Sequence, residues 1–181
     1  GHNVFFFFML RRPPSSTPIT TLSPYTMLIL SHPGPHRTER ARKCPHRPVY
    51  ALIGDLGQRS PENLGHNMTS GFIVTNDGVV VIDTGGSRAN AEAIHAAIRK
   101  ISDKKIIYAI NTGGQDHRWF GNDYFRKQGT KIVAADSTAR DMRARGAEQV
   151  ERIKPLLGDK FAGTQLVYPD TTFAQRMTLP V

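Results

Sequence analysis

The stretch GFIVTNDGVVVIDTGGS, residues 71–87, constrains the fold more than any other part of the chain. Two β-branched runs, Phe72 to Thr75 and Val79 to Ile82, flank Asn76-Asp77-Gly78, and an Asp-Gly step supplies the positive-φ residues that a tight hairpin turn demands. An antiparallel hairpin is predicted here. Its second arm, VVVID, is apolar without alternation, the pattern of a strand covered on both faces.

Beyond the hairpin the apolar pattern alternates between two periods. RANAEAIHAAIRKIS places Ile94, Ala97, Ile98 and Ile101 at helical spacing, with Ser87 or Asn90 able to cap the start. KIIYAIN (105–111) reads as a buried strand, NDYFRKQG as a short helix closed by Gly129, and KIVAAD (131–136) as another strand. Strand, helix, strand implies parallel pairing through a right-handed crossover. A longer helix is predicted from Ser137 to about Leu157, with Ala139, Met142, Val150, Ile153 and Leu157 on one stripe, Asp136 as cap and Gly158 as terminator. Before the hairpin, VYALIGDLG (49–57) reads as a short strand; after the long helix, TQLVYPDTTFAQRMTLPV offers strand-like pieces and no final helix. The expectation is an α/β domain with a mixed sheet and flanking helices.

At 181 residues the chain suffices for one domain with a real core. Its net charge of +9 raises the question of an anionic partner, so the location of that charge matters. Residues 1–47 contribute +6 of it, from seven Lys/Arg against the single acid Glu39, which leaves the body at only +3. The same segment holds most of the prolines, in RRPPSSTP and SHPGPHR, and shows no sustained period before Val49. It is expected to be a disordered or non-native leader, with 48–181 as the folded domain. Its cations Arg11, Arg12, Arg37, Arg40, Arg42 and Lys43 lack interleaved aromatics, so nucleic acid is not the expected partner. VFFFFML (4–10) falls far short of the ~20 apolar residues of a membrane span, and its arginines follow the apolar run where a secretory signal would have them precede it. The lone Cys44 permits no internal disulfide and assigns no compartment.

The chemistry concentrates in NTGGQDHRWFGN, residues 111–122, directly after a predicted strand. Together with FIVTNDGVVVIDTGGS and the helix between, this loop resembles the N-terminal half of the metallo-β-lactamase superfamily. In that family an I-D-T-G strand end, a helix and a further strand lead to a loop reading N-T-H-x-H-x-D-H-x-x-G-N. The wording NTGGQDHRW is similar to the quinoprotein relay system zinc metallohydrolase branch. The resemblance covers Val49 to Val181 and implies an incomplete αββα sandwich, its N-terminal half, in a zinc-dependent hydrolase of small ester, thioester or amide-like substrates, for which a periplasmic location is open. Zinc serves such chemistry by lowering the pKa of bound water to about 7.

The loop departs from that pattern. Counted without a gap, Gly113, Gln115, His117 and Arg118 stand at the His, His, Asp and His positions; matched on Asp-His instead, Asp116 and His117 fall in register but Thr112 and Gly114 replace the histidine pair. Glycine offers no ligand and neutral glutamine a weak one. In the second register the resemblance implies Asp116 and His117 as metal ligands, holding at most one zinc ion, with Asp116 also orienting the attacking water. Read without the resemblance, the two are an ordinary polar loop pair. A metal-free binding or assembly module on the same fold is the alternative function.

Other residues have more than one reading. His95 borders the apolar helix stripe, and His66 lies in a loop that could face a cleft. Trp119 and Phe120 are expected in the core or a cleft wall. Asp83 has three readings: an aspartic-protease-like D-T-G, an anion cradle in DTGGS at a helix start, or, as the resemblance implies, a structural acceptor beside the loop.

Overall fold

A computed structural model describes residues 3–5, 41–43 and 48–181, the first two segments by their backbone. The leader expectation falls for the most part outside the described residues; within it, Asn3–Phe5 (β1) and Ala41–Lys43 (β2) are strands. The order then runs β3 (Val49–Leu52), β4 (Ser70–Val74), β5 (Val79–Ile82), α1 (Arg88–Arg99), β6 (Ile106–Asn111), α2 (Asp116–Trp119), α3 (Asn122–Lys127), β7 (Lys131–Ala135), α4 (Asp136–Leu157), a 3-10 turn (Gly158–Phe161), β8 (Thr171–Phe173) and β9 (Thr178–Pro180). Strands β2 to β8 form one seven-stranded sheet in chain order, antiparallel from β2 to β5 and parallel from β5 to β8. β1 and β9 pair separately, antiparallel. This is the mixed α/β architecture expected.

The hairpin β4–β5 forms as expected, with Val74 opposite Val79. Its turn chemistry differs from expectation: neither Asp77 nor Gly78 has positive φ. Thr75 closes the turn instead, its N–H donating to the Gly78 carbonyl at 2.8 Å and its hydroxyl to the same oxygen at 2.7 Å. Gly78 is required by crowding, because a Cβ there would lie 2.7 Å from the Lys105 carbonyl oxygen and 2.8 Å from Ile107 Cγ2.

Strand β5 is covered on both faces, as its unbroken apolar run predicts. Val79 and Val81 join Ile106, Ala109 and Ile132 under Ala91, Ile94, Ala97 and Ile98 of α1 and Phe125 of α3. Val80 points the other way, into a cluster with Ile110, Val133, Leu179 and Val181. A third cluster, Trp119, Phe120, Met142, Ile153, Leu157 and Phe161, seats α4 on the loop region. Burying one such side chain stabilises by about 1.5–3 kcal/mol, so these layers fix where the strand ends sit.

Of the two caps offered for α1, Ser87 is the one used, its side chain accepting from the Asn90 N–H, while Asn90 is itself buried. Helix ends depart from the sequence reading in two places. Ile101 falls beyond α1 and is 44% exposed, outside the apolar stripe. Asp136 is the first residue of α4, with Ala135 at the cap position and no side-chain cap bond. Among the described residues no helix is long and apolar enough to cross a membrane.

Candidate functional site

The parallel strands β5 and β6 end side by side, and the loops after them meet. Asp83 follows β5 with φ of 63°, a left-handed conformation uncommon outside glycine. Its carboxylate accepts from the Thr112 N–H at 2.7 Å, the Thr112 hydroxyl at 2.6 Å and Arg118 Nη1 at 3.2 Å. Burial raises its pKa, and the bonds from Thr112 with the charge of Arg118 oppose that rise only in part. Asp83 therefore braces the loop after β6, the structural role that the resemblance implied. The anion-cradle reading does not survive. The N–H groups of Gly86, Arg88 and Asn90 are already taken by Asn90 Oδ1, Thr164 Oγ1 and Ser87 Oγ.

The far end of the loop is locked as firmly. Asn111 and Asn122 exchange amide bonds at 2.9 and 3.0 Å, and the Thr84 hydroxyl donates to Asn122 Oδ1 at 2.8 Å. Trp119, fully buried, donates Nε1 to the Gly114 carbonyl at 3.1 Å, where Gln149 Nε2 also donates at 2.9 Å. Phe120 is equally buried, so both aromatics belong to the core. Two glycines of this loop sit where side chains already stand: a Cβ on Gly113 would meet Gln115 Oε1 at 2.5 Å and Arg118 Cδ at 3.0 Å, and one on Gly114 would meet the Asp141 carboxylate.

Between these anchors the short helix α2 begins with Asp116 and His117, which the structure brings together. Asp116 is 1% exposed; its Oδ1 accepts from the His117 N–H at 2.9 Å and lies 3.3 Å from His117 Nδ1. Both side chains are also tied to a residue the sequence reading missed, Arg59. Its Nη1 donates to Asp116 Oδ2 at 2.5 Å and its Nη2 lies 2.6 Å from His117 Nδ1. A guanidinium has no lone pair, so Nδ1 accepts and the ring proton sits on Nε2. Arg152 Nη2 stands 3.7 Å from the same Oδ2. Burial alone would push the Asp116 carboxyl up; hydrogen bonding from His117 and the charge of Arg59 outweigh it and hold the group below its ordinary value.

Arg59 reaches this position from the loop between β3 and β4. Asn63 Oδ1 accepts from the N–H groups of Ser60 and Gly65, Asn63 Nδ2 donates to the Gln58 carbonyl, and Ser87 Oγ donates to the Leu64 carbonyl. The same loop buries His66, whose Nδ1 lies 3.2 Å from Asn90 Oδ1 and whose Nε2 has no partner. Burial holds its pKa down, and the bond with Asn90 opposes that only in part. His95 sits apart on α1, half-buried against Tyr124, the boundary position expected of it.

A catalytic zinc takes about three protein ligands and an open position. The described residues offer Asp116 and His117, with guanidinium nitrogens of Arg59 against Asp116 Oδ2 and His117 Nδ1. No group of three or more His, Cys, Asp or Glu that could hold a metal ion exists among them. The described residues therefore do not by themselves make up a zinc site.

Comparison with known proteins gives the architecture a family. The chain is similar to a metallo-beta-lactamase from Pontibacter korlensis, at 18% identity over 78% of this chain and 55% of that one, with a TM-score of 0.53. It is also similar to TMB-1, at 12% identity over 74% of this chain and 51% of that one, with a TM-score of 0.50. It spans about half the length of these solved structures. No curated protein matches it. The model of the metallo-beta-lactamase superfamily matches residues 65–174, more than half of the sequence and every element from the β4–β5 hairpin to β8, and the chain belongs to that superfamily.

Proposed function

We propose that this chain is the N-terminal half of a metallo-β-lactamase-fold domain that works as a metal-free binding or assembly module. One observation carries the reading: the Arg59 guanidinium engages both Asp116 and His117, the only acid and imidazole on the loop where the family places its ligands. A cation supplied by the chain's own side chain balances the buried carboxylate, and neither Gly113 nor Gly114 supplies a donor to complete a metal set. The test is thermal unfolding of the 181-residue chain before and after exhaustive chelation and with zinc restored. An unchanged midpoint in all three states supports the module; a chelator-induced loss of the folded state contradicts it.

A second reading, the zinc-dependent hydrolase of small ester, thioester or amide-like substrates, is favoured by the family match and by the side-by-side placement of Asp116 and His117. On that reading the two are part of a ligand set completed by residues beyond the described ones, with Asp116 also orienting the attacking water. It requires Arg59 to leave the pair. The narrower placement in the quinoprotein relay branch rests on the wording of the loop alone.

A further inference from the structure

The parallel strands have a second end, roughly 20 Å from the candidate site at about 3.3 Å per residue along the six-residue β6. A cavity of about 570 Å³ opens there, lined by Arg99, Lys105, Lys131 and Gln128 among its polar residues and by Ile107 and Tyr108 among its apolar ones. The volume is that of a small-molecule site. No carboxylate lines it.

The three cations reach the cavity from different elements and are presented differently. Arg99 is fixed: Nε donates to His95 Nε2 at 3.0 Å, and Nη1 to the Ser102 and Lys104 carbonyls at 3.4 and 3.0 Å, which leaves Nη2. His95 is held in turn by Tyr124, 2.8 Å from Nδ1. Lys105 immediately precedes β6, and Lys131 opens β7 in register with Tyr108, so the two ammonium groups flank neighbouring strands. Both lysines are exposed, and neither has an acidic partner among the described residues.

We propose that this cavity is a binding site for a small organic phosphate, the phosphate on Arg99, Lys105 and Lys131 and the organic part against Tyr108 and Ile107. One preordered guanidinium edge and two mobile ammonium groups match a group carrying two or more negative charges better than a single carboxylate. The concavity and the apolar wall favour a small molecule over an extended nucleic acid, which takes a groove with stacked aromatics.

The test is calorimetric titration of the full chain with adenosine diphosphate, inorganic pyrophosphate and a single-stranded oligonucleotide at moderate salt. Lys105→Ala/Lys131→Ala is compared with Lys154→Ala/Lys160→Ala, an equal charge change at exposed positions elsewhere, and circular dichroism confirms that each variant is folded. The expected result is saturable binding of the diphosphate, weakened at least about tenfold by the first pair and unchanged by the second, since the first pair removes charge-assisted contacts to the phosphate. Tyr108→Ala should weaken the nucleotide and leave pyrophosphate unaffected. No binding at millimolar ligand, equal loss in both double variants, or an oligonucleotide that binds more tightly with the same dependence on Lys105 and Lys131 overturns the proposal.

Discussion

Replacing Arg59 by methionine keeps the aliphatic stem and removes the guanidinium, leaving the Asp116 carboxylate 1% exposed with its closest cation gone. Breaking a buried ion pair from one side costs about 3–5 kcal/mol, because the surviving charge stays desolvated. The low end applies here: the Arg59 side chain is 16% exposed, and Arg152 remains 3.7 Å from Oδ2 to take up part of the charge. The expected loss is therefore about 3 kcal/mol, or roughly 10 °C in melting temperature for a domain of this size. Urea unfolding followed by the fluorescence of the only tryptophan, buried Trp119, measures it as a shift in midpoint at constant slope. Adding Asp116→Asn to Arg59→Met removes the stranded charge and should recover about half the loss, a coupling that a double-mutant cycle isolates. A loss below about 0.5 kcal/mol, the size of an ordinary surface substitution, or strict additivity of the two changes would refute the argument that Arg59 balances a buried carboxylate.

The same geometry sets three further outcomes. Trp119→Phe deletes the indole donor to Gly114 and Gln149 and should cost about 2 kcal/mol in thermal or urea unfolding, the Gln149 amide still satisfying the carbonyl. Gly78→Ala forces β6 away from the hairpin and should cost about 1–3 kcal/mol by the same assay, far more than the conformational preference of alanine could return. His66 has a folded pKa below its ordinary 6.5, so the unfolded chain takes the proton first. Its contribution is complete above that value and is lost as pH falls from there through the folded pKa, with a slope of up to about 1.4 kcal/mol per unit; His66→Gln should flatten the stability profile between neutral and mildly acidic pH.

The strands and helices were legible because their periods are strong. Val79 to Val81 read as doubly covered and are; Ile94, Ala97 and Ile98 read as one stripe and pack as one. Boundaries failed where a side chain rather than a period decides: Thr75 closes the turn that Asp77 and Gly78 were expected to shape, and Asp136, expected to cap α4, is its first residue and makes no cap bond. The candidate pair Asp116–His117 could be named from the wording of its loop. Arg59 could not, because GQRSPENLG has no period and its partners lie more than fifty residues away. Only the fold of the β3–β4 loop brings that guanidinium to the carboxylate. The β1 and β2 strands escaped for another reason, since three-residue segments carry too little pattern to read.

Equilibrium dialysis of the 181-residue chain against micromolar zinc, with metal content read by atomic emission, asks the decisive question of what holds Asp116 and His117. With Arg59 in place the bound metal should stay below about a tenth of an equivalent, because two ligands already engaged by a guanidinium make a poor site. One full equivalent of zinc, abolished by Asp116→Ala and by His117→Ala, would contradict the account and restore the hydrolase reading.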